Sequence, residues 1–112
     1  MQDNKINNIL KSEYSKEFDE KRKRAMVTSY YKYGKAALNY PKNVDAIASL
    51  EQRLSLYKQT GNMDYLVDIA NFAMLEFMFP RRKDAFYKAG ANEKDSPGLV
   101  GLSVVELQDF EK

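Results

Sequence analysis

Cysteine and histidine are both absent from this chain, and glycine and proline number only five and three. Without cysteine there is no disulfide, no thiol nucleophile and no thiolate metal site. Without histidine, the usual general base and a common zinc ligand are missing. We therefore expect a protein that is not an enzyme and that uses no metal and no cofactor.

Long apolar runs are absent as well. Residues 1–14 contain no apolar stretch of signal-peptide length. The most apolar stretch, residues 65–79, is interrupted by Asp68, Asn71 and Glu76, and it is shorter than the ~20 residues that cross a bilayer. We expect a cytoplasmic protein that makes no contact with a membrane.

The composition is that of an ordinary globular domain. The chain has 112 residues, of which 44% are hydrophobic and 30% charged, so one small domain is expected. Its 18 Lys+Arg and 16 Asp+Glu give a net charge of +2. This balance argues against a mimic of nucleic acid, which needs a strongly negative face, and against a strongly basic coat.

The N-terminal part, residues 4–39, has a helical pattern and is predicted to form an arm over residues 1–40. Two apolar stripes recur at helical spacing, and their members are Ile6, Leu10, Tyr14 and Phe18, then Met26, Tyr30, Tyr33, Ala37 and Tyr40. The charged stretch Glu17–Arg24 between them predicts a break or a solvent-exposed segment. Pro41 ends the element, because the residue before a proline disfavours helical geometry.

Residues 43–60 and 63–79 predict an antiparallel helical hairpin at the centre of an all-α fold. Asn43 and Asn62 are expected as N-caps, and Gly61 as a left-handed cap between the helices. The buried face of the first helix is predicted from its 3 and 4 spacing as Ile47, Leu50, Leu54 and Tyr57. Polar residues, Arg53 among them, fall mostly on the other side.

The second helix of this hairpin is apolar almost all round. It is therefore expected to be the central helix or to lie at a dimer interface. The core domain is assigned to residues 41–112, with a partly irregular tail. The capping-box pattern from Ser103 predicts one short C-terminal helix to Phe110. The tail is expected to pack partially through Leu99, Val100, Leu102, Val105 and Phe110.

Basic residues interleaved with tyrosine form the first candidate binding surface. They can contact phosphates or a partner protein, and the tyrosines can stack on bases. The candidate residues are Lys21, Arg22, Lys23, Arg24, Tyr31, Lys32, Lys35, Arg81, Arg82 and Lys83. The alternative is a solvated helix face, because Glu17–Lys21 and Glu20–Arg24 can form i,i+4 ion pairs that neutralise much of the run.

Asp68, Asn71 and Glu76 form the second candidate, as the polar residues of an otherwise apolar helix. They could create a polar pocket or a carboxylate site. The alternative is a solvated stripe of Asp64, Asp68 and Asn71, with Glu76 buried and paired with a basic residue or a backbone donor.

The apolar stripe that begins at Ile6 is the third candidate, because amphipathic helices dock into grooves on partner proteins. The alternative is packing on its own domain or dimerisation.

Part of the chain resembles a family of small uncharacterised proteins of bacterial phages, prophages and other mobile elements. The resemblance rests on the turn Thr60-Gly61-Asn62, on the following helix LVDIANFAMLEF over 66–77, and on Pro80 and Ser96-Pro97-Gly98-Leu99. It covers a little under half of the chain. The family pattern has a histidine-containing segment after the proline, whereas residues 80–86 here contain none.

The resemblance implies a genomic context and raises one functional hypothesis. Small phage proteins without catalytic residues often inhibit bacterial defence systems. We therefore expect a non-enzymatic, anti-CRISPR-like inhibitor in the host bacterial cytoplasm that binds the effector nuclease or its guide RNA complex. The alternatives are a nucleic-acid-binding accessory or regulatory protein that uses the basic residues, and a homo-oligomeric scaffolding protein, for which a homodimer is the simplest form.

Overall fold

A computed structural model describes residues 2–90 of the protein. In this range the chain forms five helices and no strand, which confirms the predicted all-α fold. The helices are α1 Gln2–Glu13, α2 Lys16–Tyr33, α3 Ala36–Asn39, α4 Ala46–Thr60 and α5 Asp64–Met78. The predicted C-terminal helix and the apolar tail residues, 99–110, lie outside the described residues.

The charged stretch Glu17–Arg24 is continuous helix within α2 and is exposed except at Asp19 and Arg22. Of the two predicted alternatives, the solvent-exposed segment is therefore confirmed and the break is wrong. The break falls instead at Ser15, whose extended backbone separates α1 from α2. The Ser15 hydroxyl accepts a hydrogen bond of 3.0 Å from the Phe18 amide and so caps α2. A charged run with acidic residues in its first turn continues a helix well, because these acids complement the helix dipole and pair with bases one turn later.

Gly34 ends α2 with a positive φ of 81°, a conformation that other residues rarely adopt. The Asn39 side-chain amide donates to the Tyr33 carbonyl at 3.0 Å and ties the short α3 to the end of α2. Tyr40 follows in extended geometry, as expected for a residue before Pro41.

The caps of α4 and α5 follow local rules, with two corrections. Asp45 is the N-cap of α4, where its carboxylate accepts from the Ala48 amide at 3.0 Å, so the prediction of Asn43 is wrong. Gly61 is the left-handed cap of α4 as predicted, with φ 71° and ψ 9°. The N-cap position of α5 is Met63 and not Asn62. The Asn62 side chain nevertheless accepts a hydrogen bond from the backbone amide of Asp64, the first residue of α5.

Helices α4 and α5 make the most extensive contact of the described chain. Ala46 and Val67 are its most buried apolar residues, 2% and 3% exposed. The side of α4 that packs on α5 runs through Ala46, Ser49, Leu50, Arg53, Leu56 and Tyr57. The predicted buried face was wrong at Ile47 and Leu54, which are exposed.

Helix α5 is the central helix, because it contacts both α4 and α2. The Arg22 guanidinium lies 3.4 Å from the Met74 sulfur. The Asn71 side chain donates to the Arg22 carbonyl at 3.0 Å. Arg22, which belongs to the charged stretch, therefore takes part in both side-chain hydrogen bonds between α2 and α5 among the described residues.

Helix α1 takes no part in the main helix packing of residues 2–90, which joins α4 to α5, α2 to α5 and α2 to α3. Its apolar residues Ile6, Ile9 and Leu10 are exposed. Within the described range, no helix has both the length and the apolar character needed to cross a bilayer.

Candidate functional site

A cleft of about 740 Å³ lies between the second half of α2, α3, α4 and α5. It forms because Arg22 and Asn71 join α2 to α5 at one end, while Tyr40 and Val44 bring the chain across to α4 at the other. A volume of this size is typical of a small-molecule site. Three of the sequence candidates, Lys32, Asp68 and Asn71, line this cleft.

Arg53 and Asp68 form the polar centre of the cleft. The Arg53 Nε donates to Asp68 Oδ2 at 3.3 Å, and both side chains are about one-third exposed, at 30% and 33%. The Arg53 Nη1 donates to Gln52 Oε1 at 2.6 Å, and its guanidinium lies 5.6 Å from the centre of the Phe72 ring. Such stacking holds a guanidinium in one orientation.

Asn71 is buried beside this pair and is oriented by its bond to the Arg22 carbonyl. Its Oδ1 has no hydrogen-bond partner among the described residues. A buried acceptor without a partner costs free energy, about 1–3 kcal/mol, so an Asn at this position is unfavourable for packing alone.

Glu76 does not belong to the cleft. Its Oε2 accepts a hydrogen bond of 3.0 Å from the Arg81 backbone amide. This bond agrees with the alternative interpretation, in which Glu76 pairs with a backbone donor. It lies instead in a shallow depression with Phe77 and Pro80. Asp68 and Asn71 thus line the cleft, whereas Glu76 lies outside it.

Aromatic side chains form another part of the cleft wall. Tyr30 and Tyr33 of α2 line it, together with Tyr40 and Phe72. Burial raises the pKa of the Tyr40 phenol above its usual value, and the nearby charge of Arg53 opposes that rise. The Tyr40 hydroxyl therefore stays protonated near neutral pH.

The basic run on α2 is largely paired. Lys21 lies 3.7 Å from Glu17, as predicted. Glu20 lies near Lys16, at 3.9 Å, so the predicted Glu20–Arg24 pair is wrong. Lys16 and Arg24 each lie four residues from Glu20, and Glu20 pairs with Lys16, which is closer to the start of α2.

Asp19 is the centre of the remaining pairs on α2. It accepts from Arg22 at 2.7 Å and lies 3.4 Å from Lys23. The hydrogen bond from Arg22, followed by one from the Tyr14 hydroxyl, lowers the pKa of Asp19 to about 2. Arg22 is turned towards α5 and is not a free surface cation.

The second basic group is also partly neutralised. Arg81 lies 3.4 Å from Asp45, at the start of α4. Arg82 donates twice to Asp84, at 2.9 and 2.7 Å, and this lowers the pKa of Asp84. No hydrogen bond or ion pair among the described residues joins this group to the run on α2.

A smaller basic surface remains after these pairs are removed. Arg24, Lys32, Lys35 and Lys83 have no ion-pair partner among residues 4–90. Tyr31 is 82% exposed and packs edge-to-face on Tyr30. Of these cations, Lys32 lines the cleft.

Arg53 is the functional candidate that sequence reasoning missed. It was assigned to the polar, outer side of α4, whereas it points into the groove between α4 and α5. The only signal for it is its i+4 and i+7 spacing from Ser49 and Ala46, which is weak because those small residues do not mark an apolar face.

Comparison with protein-family models, with curated proteins and with solved structures finds no match to this chain.

Proposed function

We propose that this is a non-enzymatic binding protein that acts through protein–protein contact and inhibits a bacterial defence system. The target that we favour is a CRISPR effector nuclease or its guide RNA complex. The resemblance to small proteins of phages and mobile elements suggests the defence context. The observation that carries the binding function is the apolar surface of α1, which residues 2–90 leave largely exposed.

Helix α1 has an amphipathic pattern and takes no part in the main helix packing of the described residues. Ile9 and Leu10 are 53% and 44% exposed, and Ile6 is similarly open. An isolated helix of this length, 12 residues, is marginally stable in water. An apolar stripe that stays exposed, as this one does among the described residues, is a feature of helices that dock on a partner.

The pairing of the basic residues favours a protein target over free nucleic acid. Phosphate binding depends on cations that can replace counterions, and most of the run Lys21–Arg24 is engaged with acids of the same helix. These acids cancel much of the positive charge of the run and so weaken its attraction for phosphate, even though the individual ion pairs are weak. The run is therefore read mainly as a solvated helix face.

The test is binding of the tagged protein to purified effector–guide complexes, followed by size-exclusion chromatography. The matched variants lie on one helix: Ile9→Gln with Leu10→Gln changes the apolar stripe, and Asn7→Gln with Asn8→Gln changes its exposed polar side. We expect the wild type and the polar-side variant to co-elute with the complex and the stripe variant to elute alone.

Two results would contradict this proposal. Equal binding by both variants would remove α1 from the interface. Failure of the wild type to bind effector complexes, or to inhibit their cleavage of target DNA, would contradict the defence-inhibitor function itself. Far-UV circular dichroism of each variant controls for folding.

Nucleic-acid binding is the second candidate, because Arg24, Lys32 and Lys35 are unpaired among the described residues and Tyr31 is fully available for stacking. Its test is RNA and DNA binding by the isolated protein over a salt series. Strong binding that weakens with salt, and that is lost when the three cations are changed to Gln, would favour it over the protein target. Homo-oligomeric scaffolding is tested in the same chromatography by the elution volume of the protein alone.

A further inference from the structure

We propose that the cleft between α2, α3, α4 and α5 binds a free nucleotide, with the base held against Arg53, Asp68 and the tyrosines and the phosphate directed to Lys32. This inference does not depend on the proposed function, because it concerns a different surface from the α1 stripe. It rests on the chemistry of the groups that converge on the cleft.

The Arg53–Asp68 pair presents a donor next to an acceptor. One contact joins them, through Nε and Oδ2, and Arg53 Nη1 is taken by Gln52. Among the described residues, Asp68 Oδ1 and Arg53 Nη2 make no hydrogen bond, so each can engage a ligand. Every nucleobase carries a donor beside an acceptor on its pairing edge, which complements such a pair.

The aromatic wall supplies the stacking surface that a base needs. Tyr30 and Tyr33 line the cleft from α2, and Phe72 lies on the opposite side beneath the Arg53 guanidinium. Tyr33 is 71% exposed and so does not contribute to the packed core. Base stacking on aromatic rings is strong and tolerates different bases.

The phosphate has one available cation in the cleft. Lys32 lines it and has no ion-pair partner among the described residues, whereas Arg53 is already paired with Asp68. The cleft thus combines an apolar wall, a hydrogen-bonding centre and one open positive charge. Its volume of about 740 Å³ lies in the range of nucleotide-sized sites.

The test is isothermal titration calorimetry of the full chain with AMP, GMP, CMP and UMP, with adenosine, guanosine and inorganic phosphate as separate arms. We expect one nucleotide per chain, weaker binding of the matching nucleoside and no detectable binding of phosphate. Lys32→Gln should reduce nucleotide affinity to that of the nucleoside, whereas Lys35→Gln, which lies outside the cleft lining, should not.

Stacking and base recognition each have a matched pair of variants. Tyr33→Ala should weaken binding by about tenfold or more. Tyr31 is also exposed but lies outside the cleft lining and touches it only through Tyr30, so Tyr31→Ala should weaken binding far less. Asp68→Asn should weaken binding or change the preferred base, whereas Asp64→Asn on the same helix should do neither. Because Tyr33 and Tyr31 are both exposed, this pair remains informative even where Asp68→Asn unfolds the protein.

Two outcomes would overturn the inference. The first is the absence of binding to all four mononucleotides; if a single-stranded RNA pentamer binds in that case, the tyrosines belong to a nucleic-acid surface. The second is an equal effect of Tyr33→Ala and Tyr31→Ala. Neither of these outcomes bears on the binding of effector complexes through α1.

Discussion

Ala46→Leu tests the contact between α4 and α5, on which the rest of the fold depends. Ala46 lies in the first turn of α4 and is 2% exposed. Ala48, two residues later in the same turn, is exposed. Both alanines are in the helix, and leucine is nearly as good a helix former as alanine. The two substitutions therefore differ mainly in the space around the new side chain.

The expected magnitude follows from that difference. Leucine at position 46 must place three additional carbons where α4 meets α5, and overpacking of this kind costs about 1–3 kcal/mol. Leucine at position 48 projects into solvent, where substitutions change stability by about 0.5 kcal/mol or less. For a domain of this size, a loss of about 2 kcal/mol lowers Tm by roughly 8–16 °C.

The assay is thermal and urea unfolding of both variants, followed by far-UV circular dichroism. We expect Ala46→Leu to lower Tm strongly with an unchanged urea m-value and Ala48→Leu to leave Tm close to the wild-type value. A similar loss in both variants, or a larger loss at position 48, would refute the assignment of the buried side of α4.

Three further predictions concern local interactions that stabilise the fold, and each is measured by unfolding curves. Because the pKa of Asp19 is lowered to about 2 by its bond from Arg22, this carboxylate stabilises the fold above about pH 4, and the contribution is lost as pH falls through that pKa. Asp19→Asn should therefore lower Tm at pH 7 and reduce the further fall in Tm between pH 5 and pH 2. An unchanged fall in Tm over this pH range would disprove the stabilising role of the Asp19 carboxylate. Gly61→Ala should lower the free energy of unfolding by roughly 1–2 kcal/mol, because alanine disfavours the left-handed backbone of this residue although its Cβ meets no neighbouring atom. Gly61→Asn should lower it by less. Ser15→Ala should cost about 1 kcal/mol through loss of the cap on the Phe18 amide, and an unaffected Tm would mean that this cap is not formed in solution.

Local signals predicted the parts of the fold that depend on a few neighbouring residues. The left-handed cap at Gly61 follows from Thr60-Gly61-Asn62, and the end of the α3 segment follows from Tyr40 before Pro41. These features are set by backbone sterics within one or two residues. They can therefore be predicted from the sequence without knowing which elements pack against each other.

Features that depend on partners were harder to read. The spacing of Ile47 and Leu54 predicts a buried face, but the packed side of α4 is rotated towards Ala46 and Arg53. The less exposed side combines the small residues Ala46 and Ser49 with larger ones such as Leu50, Leu56 and Tyr57. A pattern within one helix cannot show which of two half-apolar sides its neighbour covers.

The cleft was only partly foreseeable. Asp68 and Asn71 are polar residues on an apolar helix, and this pattern predicts either a polar pocket or a solvated stripe. The cleft also depends on Arg22, which joins α2 to α5 from within a charged run. Long charged side chains have apolar stems that pack well, so charge alone did not reveal that this residue faces inwards.

The most direct test of the central claim, inhibition through the exposed stripe of α1, is a plating assay. Bacteria with an active CRISPR system are infected with a targeted phage while they express the wild type, the Ile9→Gln/Leu10→Gln variant or the Asn7→Gln/Asn8→Gln variant at equal levels. The account predicts that the wild type and the Asn variant restore plaques and that the stripe variant does not. Failure of the wild type to restore plaques against any of the CRISPR types tested, or equal rescue by all three proteins, would contradict it.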